Sequence, residues 1–300
     1  MNNDLHGVIA ALPTPINDRE QVDLECLERL VGHLIRQGVH GLVALGSTGE
    51  FYALTGRERQ EVVMVTLRAA NGAIPVLVGA NGGSTEEVVH YCRQAERLGA
   101  QGLMLASPYY SCPTHQELLV HLQAANDAVG IPIMLYNCPA RTGVDMTPEF
   151  IERAASLSNV RFVKESTGQM ERITRLIRTC GERIVVFCGC DTIALEGLIM
   201  GAAGWVGGMV NVLPRMHRRL YDLVVQSGEL AAARRLFYKI LPVLEMAEQG
   251  GKYTQVVKTG CQIMGHPVGP PRRPLRPLDD HEYALLSRLL GPVRDAESVQ

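Results

Sequence analysis

Lysine is nearly missing from this chain of 300 residues: Lys164, Lys239, Lys252 and Lys258 are all there are, and the remaining strong cations are arginines. An excess of positive charge is missing as well. With a formal charge of −2 and a pI near 6.5, the sequence shows no electrostatic footprint for nucleic acid or an anionic membrane, which leaves small polar metabolites as the expected partners. No apolar run reaches the roughly 18 residues that a membrane span needs. The opening stretch MNNDLHGVIAALPTP has no basic segment leading into an apolar core, so a cytoplasmic protein without a secretory leader is expected. A compact cysteine framework is also lacking. The cysteines, among them Cys26, Cys92, Cys138, Cys180 and Cys261, are scattered through apolar segments and are expected to be free thiols in a reducing compartment. The one close pair, Cys188 and Cys190, has neither CxxC spacing nor nearby histidines and reads as two side chains on one face of a strand.

What is present is a repeat. Short apolar runs, each after a Gly, a Pro or a loop, recur along the chain: GVIAALPTP, GLVALGSTGE, PVLVGANGG, GLMLASPYY, PIMLYNCP, VRFVKEST, IVVFCGC and GWVGGMVN. Between them lie amphipathic stretches such as DLECLERLVGHLIRQG, TGRERQEVVMVTLRAANG and STEEVVHYCRQAERLGA, with Asp, Thr or Ser before early acidic residues and Gly after the last turn. Continuous apolar strands alternating with helices predict parallel pairing with both faces buried. Eight such units, with no GxGxxG after the first strand, predict a closed (β/α)8 TIM barrel over residues 1–228 rather than an open doubly wound sheet. From about Glu229 the strands stop, and residues 229–300 read as a C-terminal helical appendage.

Active sites of such barrels gather at the carboxyl ends of the strands. Those positions here hold Gly46, Ser47, Thr48, Gly49 and Glu50; Tyr109 and Tyr110; Tyr136, Asn137 and Arg141; Lys164 and Glu165; Gly189 and Asp191. Lys164 is the only lysine of the barrel segment and is flanked by Phe162 and Val163. A buried ammonium is costly unless paired or deprotonated, so a structural ion pair with Glu165 or another carboxylate is one reading. Neighbouring strand residues face opposite ways, however, which works against the Glu165 pair. The other reading is an amine nucleophile toward a carbonyl, because burial lowers a lysine pKa from about 10.4 and supplies the neutral form. The GSTGE loop lacks the lysine and spacing of a Walker loop; it is either a plain turn or a place where Ser47, Thr48 and nearby amides hold a carboxylate. Tyr136 is either a structural tyrosine or a proton shuttle beside the lysine. Arg141 suits either a surface ion pair or bidentate binding of a carboxylate.

Taken together, the LPTP segment, GSTGE, SPYY, YNCPARTG, VKESTG, the GCD turn and RRPLRPL resemble the dihydrodipicolinate synthase and N-acetylneuraminate lyase superfamily of class I aldolase-like barrels, over nearly the whole chain. The resemblance implies that Lys164 forms a Schiff base with pyruvate or a similar 2-oxo acid and that Tyr136 moves protons at it. Ser47 and Tyr110 would complete the relay, Tyr110 coming from a neighbouring subunit of a homotetramer built from tight dimers. Thr48 would hold the 2-oxo-acid carboxylate, and Gly189 and Val206 would line the pyruvate pocket. No metal or organic cofactor is implied.

Arg141 matches the arginine with which the synthase branch, a step of lysine biosynthesis, grips aspartate semialdehyde. Ser47 in place of Thr, Cys190 in place of an acid, and the GWVGGMVN segment resemble instead catabolic aldolases, dehydratases and deaminases acting on 2-keto-3-deoxy sugar acids, N-acetylneuraminate or hydroxyproline-pathway acids. A catalytically silent small-molecule binder is a third reading, which retention of Lys164, Tyr136 and Tyr110 opposes. Regulated synthases of this family bind lysine in a pocket lined by small residues and histidines. Phe51, Tyr52, Gly56 and Arg59 stand there in this chain and Gly83 takes the place of an asparagine, with only Glu87 and Tyr109 retained, so inhibition by lysine is not expected.

Overall fold

The computed structural model describes residues 5–298; residues 1–4 and 299–300, at the outer ends of the two segments expected from sequence, lie outside the described residues. Eight strands close into a parallel barrel in sequence order: β1 Gly7–Ala11, β2 Gly41–Ala44, β3 Val76–Gly79, β4 Gly102–Ala106, β5 Ile133–Asn137, β6 Val160–Glu165, β7 Val185–Cys188 and β8 Gly204–Gly207, with β8 pairing back to β1. Each falls on one of the apolar runs. The helices between and after them are α1 Leu24–Arg36, α2 Gly56–Ala70, α3 Thr85–Leu98, α4 His115–Asp127, α5 Pro139–Thr142, α6 Pro148–Ala154, α7 Met170–Cys180, α8 Ala194–Ile199, α9 Pro214–Tyr221, α10 Leu230–Gln249, α11 Tyr253–Ile263 and α12 Asp280–Ser298.

The helix starts follow local chemistry. Asp23, Thr55 and Ser84 cap α1, α2 and α3 by accepting from backbone amides, and at α2 the Glu58 side chain returns the bond to the Thr55 amide in a capping box. Gly99 ends α3 at φ +95°, a conformation that favours glycine.

Strand periodicity divides the core in two. Ile9, Val43, Leu77, Met104, Met134, Phe162, Phe187 and Val206 fill the barrel interior, whereas Val8, Leu42, Val76, Leu103, Ile133, Val163 and Val186 point outward under the helices. Lys164 lies two residues beyond Phe162 and therefore projects inward at the carboxyl end. All eight thiols are free. The Cys188 and Cys190 pair differs from the sequence reading: Cys188 ends β7 with its side chain in the outer core, while Cys190 lies past the strand and its carbonyl accepts from Cys188 Sγ at 3.3 Å. Among the described residues no helix is long and apolar enough to cross a membrane.

The C-terminal helices are fastened to the mouth of the barrel by charge. Glu50, held at φ +54° at the end of the GSTGE turn, forms an ion pair with Lys258 of α11 at 2.6 Å, each side chain 1% exposed. Lys258 Nζ also donates to the Pro270 carbonyl at 2.8 Å, and the Arg272 amide donates to Glu50 Oε2 at 2.7 Å. The Arg272 guanidinium then grips Glu58 through two bonds of 2.7 and 2.9 Å. Every charge in this cluster has a partner, which is the condition under which buried ions are tolerated. Lys258→Ala would leave Glu50 buried and uncompensated, and urea unfolding should show a loss of about 3–5 kcal/mol. A loss within about 0.5 kcal/mol, the usual range of surface substitutions, would show that the tail is fastened by other contacts.

Candidate active site

The register of β5 and β6 sets Tyr136 directly beside Lys164, and both side chains turn into the barrel. Lys164 is 5% exposed, with Nζ 4.3 Å from the centroid of the Tyr136 ring. Among the described residues the ion-paired lysines are Lys252, with Glu282, and Lys258, with Glu50; Lys164 has no such pair. Glu165 is turned to the opposite face, where it accepts from Asn137 Nδ2 at 3.0 Å and from the Thr167 amide at 2.8 Å. Asn137 in turn accepts from the Met146 amide, so neither residue reaches the interior. The structural ion pair is therefore ruled out for Glu165.

Burial holds the Lys164 ammonium below its ordinary pKa; Cys138, Asp191 and Glu248 pull the other way, and Arg141 adds to the lowering. Burial likewise pushes the Tyr136 phenol up, with Cys138 next, against the Arg141 charge and the hydrogen bond from Ser47. At neutral pH the pair thus combines an amine biased toward its neutral form with a phenol that keeps its proton. Ser47 Oγ lies 3.5 Å from Tyr136 Oη, and either can donate.

Two glycines permit close packing at this end of the barrel. A Cβ at Gly189 would lie 2.0 Å from Ser166 Oγ and 2.6 Å from Lys164 Cγ, so a side chain there would displace the lysine. A Cβ at Gly49 would sit 3.0 Å from the Leu12 carbonyl, and the Gly49 carbonyl accepts from Thr14 Oγ1 at 2.6 Å, which seats the GSTGE turn on the end of β1. Thr48, within that turn, is buried, and Val206 is fully enclosed in the barrel. Beside Tyr136 opens a cleft of about 150 Å³ lined by Ser47, Tyr52, Tyr109, Tyr136, Cys138 and Arg141, among others.

The expected residues are not all brought together. Arg141 stands exposed on α5 at the rim of the cleft. Tyr110 is 93% exposed and is absent from the cleft lining in the single chain. Glu50 is committed to Lys258. Sequence reasoning passed over Cys138, although it follows Tyr136 by two residues and shares its inward face. It also passed over the partners of Asp191, which are Trp205 of β8 and, with no motif to mark them, Glu248 of α10 and Tyr253 of α11. Among the described residues no cluster of three or more His, Cys, Asp or Glu side chains is placed to hold a metal ion.

The loop expected to exclude lysine is filled from within. Arg59 is 4% exposed, donates to the Asn81 carbonyl at 2.6 Å and lies 3.5 Å over the Tyr91 ring and 5.5 Å from that of Phe51. Glu87 is 4.0 Å from Arg59 and accepts from the Gly83 amide at 2.8 Å.

The model of the dihydrodipicolinate synthetase family matches residues 4–292. A 4-hydroxy-tetrahydrodipicolinate synthase of Pelobacter propionicus is 36% identical over 288 residues, 95% of this chain and 97% of that protein. The fold is similar to that of a chloride-inhibited dihydrodipicolinate synthase from Acinetobacter baumannii solved with pyruvate, at a TM-score of 0.92 and 32% identity, covering 96% of this chain and 98% of that one. It is also similar to a prophage protein of the dihydrodipicolinic acid synthase family from E. coli K12, again with pyruvate, at a TM-score of 0.91 and 29% identity, covering 96% and 98%.

Because Arg59 of α2 packs against Phe51 and against Tyr91 of α3 where a bound lysine would need space, calorimetric titration with L-lysine to millimolar levels should show no saturable heat. A saturable isotherm would reveal an accessible lysine pocket.

Proposed function

The chain belongs to the dihydrodipicolinate synthetase family, a family of lyases, and on that premise we propose that it condenses pyruvate with aspartate semialdehyde through a Schiff base on Lys164. The observation that carries this reading is a buried lysine without an ion pair, in register with a buried tyrosine. The neutral amine attacks the ketone carbon, and loss of water from the carbinolamine leaves the imine. A proton then leaves the methyl carbon, and the enamine adds to the aldehyde of the second substrate. Tyr136 carries the protons of these steps, and Ser47, within reach of its hydroxyl, relays them. Thr48 and the neighbouring amides hold the pyruvate carboxylate, while Gly189 and Val206 bound the pocket. Pyruvate in the related A. baumannii and E. coli structures supports this choice of first substrate.

Tyr110 serves across a subunit boundary in a homotetramer, a role consistent with its exposure in the single chain. Arg141, exposed at the rim, grips the carboxylate of the second substrate. One observation favours a second reading, a catabolic aldolase or dehydratase of hydroxylated 2-oxo acids. Ser166 Oγ is buried without a hydrogen-bond partner near the Lys164 stem, where a substrate hydroxyl would satisfy it.

Borohydride added with pyruvate should attach a stable mass to the Lys164 peptide and leave Lys164→Ala protein unmodified; equal modification of that variant, or none of the wild type, would sink the mechanism. Assay with aspartate semialdehyde beside 2-keto-3-deoxy sugar acids and N-acetylneuraminate then separates the branches. For the true second substrate, Arg141→Ala should lower kcat/KM by about 10- to 150-fold, or roughly 1.5 to 3 kcal/mol of charge-assisted bonding, while imine formation with pyruvate survives. Equal loss of both would make Arg141 a support of its loop.

A further inference from the structure

Outside the pairing of Lys164 and Tyr136, the C-terminal helices deliver the hydroxyl of a half-buried tyrosine to the barrel mouth. Tyr253, the first residue of α11, donates to Asp191 Oδ2 at 2.5 Å and accepts from the Gly208 amide at 2.8 Å. Asp191 is fully buried. Its Oδ1 accepts from Trp205 Nε1 at 2.8 Å, and its amide donates to Glu248 Oε1 of α10 at 2.8 Å. Both carboxylate oxygens thus receive a proton donor, the pattern that an ionised carboxylate needs. Gly208 is pressed between two side chains: a Cβ there would lie 2.7 Å from the Tyr253 ring and 3.1 Å from Thr48 Oγ1.

We propose that Tyr253 is a positioning residue for Lys164, its hydroxyl tying the Asp191 carboxylate to the Gly208 amide so that the loops after β7 and β8 are held as one unit around the lysine and Thr48. This role presupposes Lys164 as the nucleophile of the proposed function. It extends the site to the C-terminal helices, where the sequence named no site residue. The charged and titratable groups around the lysine are Tyr136 from β5, Cys138 and Arg141 after it, Asp191 after β7 and Glu248 from α10. Those around Asp191 are Tyr253, Glu248 and Lys164, with Cys190 and Cys188 interacting more weakly beside them. Burial first, and the Glu248 charge second, push Asp191 up to about 7, while the bonds from Tyr253 and Trp205 favour its ionised form. The hydrogen bond from Tyr253 thus works to keep Asp191 ionised against burial and the Glu248 charge. An ionised Asp191 stabilises the Lys164 ammonium, so loss of that ionisation lowers the lysine pKa and raises the neutral fraction of the amine.

Trace acetylation of Lys164 by acetic anhydride, followed across pH by peptide mass and without substrate, reads that amine directly. In Tyr253→Phe the profile should move to lower pH, with roughly three- to tenfold more labelling below the midpoint. Asp191→Asn should shift it at least as far, and the double variant no further than Asp191→Asn alone, since both changes act through one carboxylate. Near-UV circular dichroism checks the fold of each. If Tyr253→Phe does not fold, Tyr253→His, which keeps a ring with a hydrogen-bond donor, takes its place and should leave the profile closer to that of the wild type than Asp191→Asn does; a shift as large as that of Asp191→Asn overturns the proposal. An unshifted profile in folded Tyr253→Phe or Asp191→Asn, or shifts that add in the double variant, overturns it as well. Borohydride trapping with pyruvate is run beside it: a wild type that fails to trap sinks the Schiff-base reading, whereas a trapping wild type with an unshifted Tyr253→Phe profile sinks only the positioning role.

Discussion

Burying an amine inside a barrel constrains everything placed around it. An ammonium taken out of water must find a counter-charge, keep enough hydrogen bonds, or give up its proton. At Lys164 the inner face supplies Phe162, Phe187 and the Tyr136 ring, and no carboxylate within ion-pair distance among the described residues. The solution adopted is a lowered pKa, and the architecture protects it. Gly189 leaves the lysine stem its path, and Glu165 is turned away and satisfied by Asn137 and Thr167.

Lys258, whose pKa burial also lowers, differs in finding a counter-charge. It is as buried as Lys164, yet it meets Glu50 at 2.6 Å and the Pro270 carbonyl at 2.8 Å. That pair fastens the C-terminal helices to the end of the GSTGE turn, whose Ser47 reaches Tyr136. The same helices reach the other side of the mouth through Glu248 and Tyr253. The appendage is therefore attached to the loop after β2 by charge and to the loops after β7 and β8 by hydrogen bonds. The site residues sit between these two attachments.

Arg59 illustrates how one side chain can serve exclusion. A buried guanidinium lying over Tyr91 and bonded to Asn81 fills space that small residues would leave open. Glu87 lies 4.0 Å from the guanidinium, so the filled space, more than net charge, would oppose a ligand there.

The strands, their order and their closure were legible because strand and helix periods are written locally: each apolar run became one strand, and Thr55, Ser84 and Gly99 marked helix ends with their own side chains or backbone. Lys164 stood out by scarcity and by its place at a strand end, and period two already assigned it and Glu165 to opposite faces. Other features depend on residues far apart in the chain. That Glu50 pairs with Lys258 and that Asp191 is clasped by Trp205, Tyr253 and Glu248 depends on how the last helices dock, and no local pattern encodes docking. The Cys190 backbone leaves the strand at a loop whose path only the packed structure defines. By itself the sequence determined the barrel and set Lys164 and Glu165 on opposite faces of one strand, because alternation along a strand is a property of neighbouring residues. Which charges are satisfied, and which are left to do chemistry, was decided only in the tertiary structure, because pairing is a property of distance.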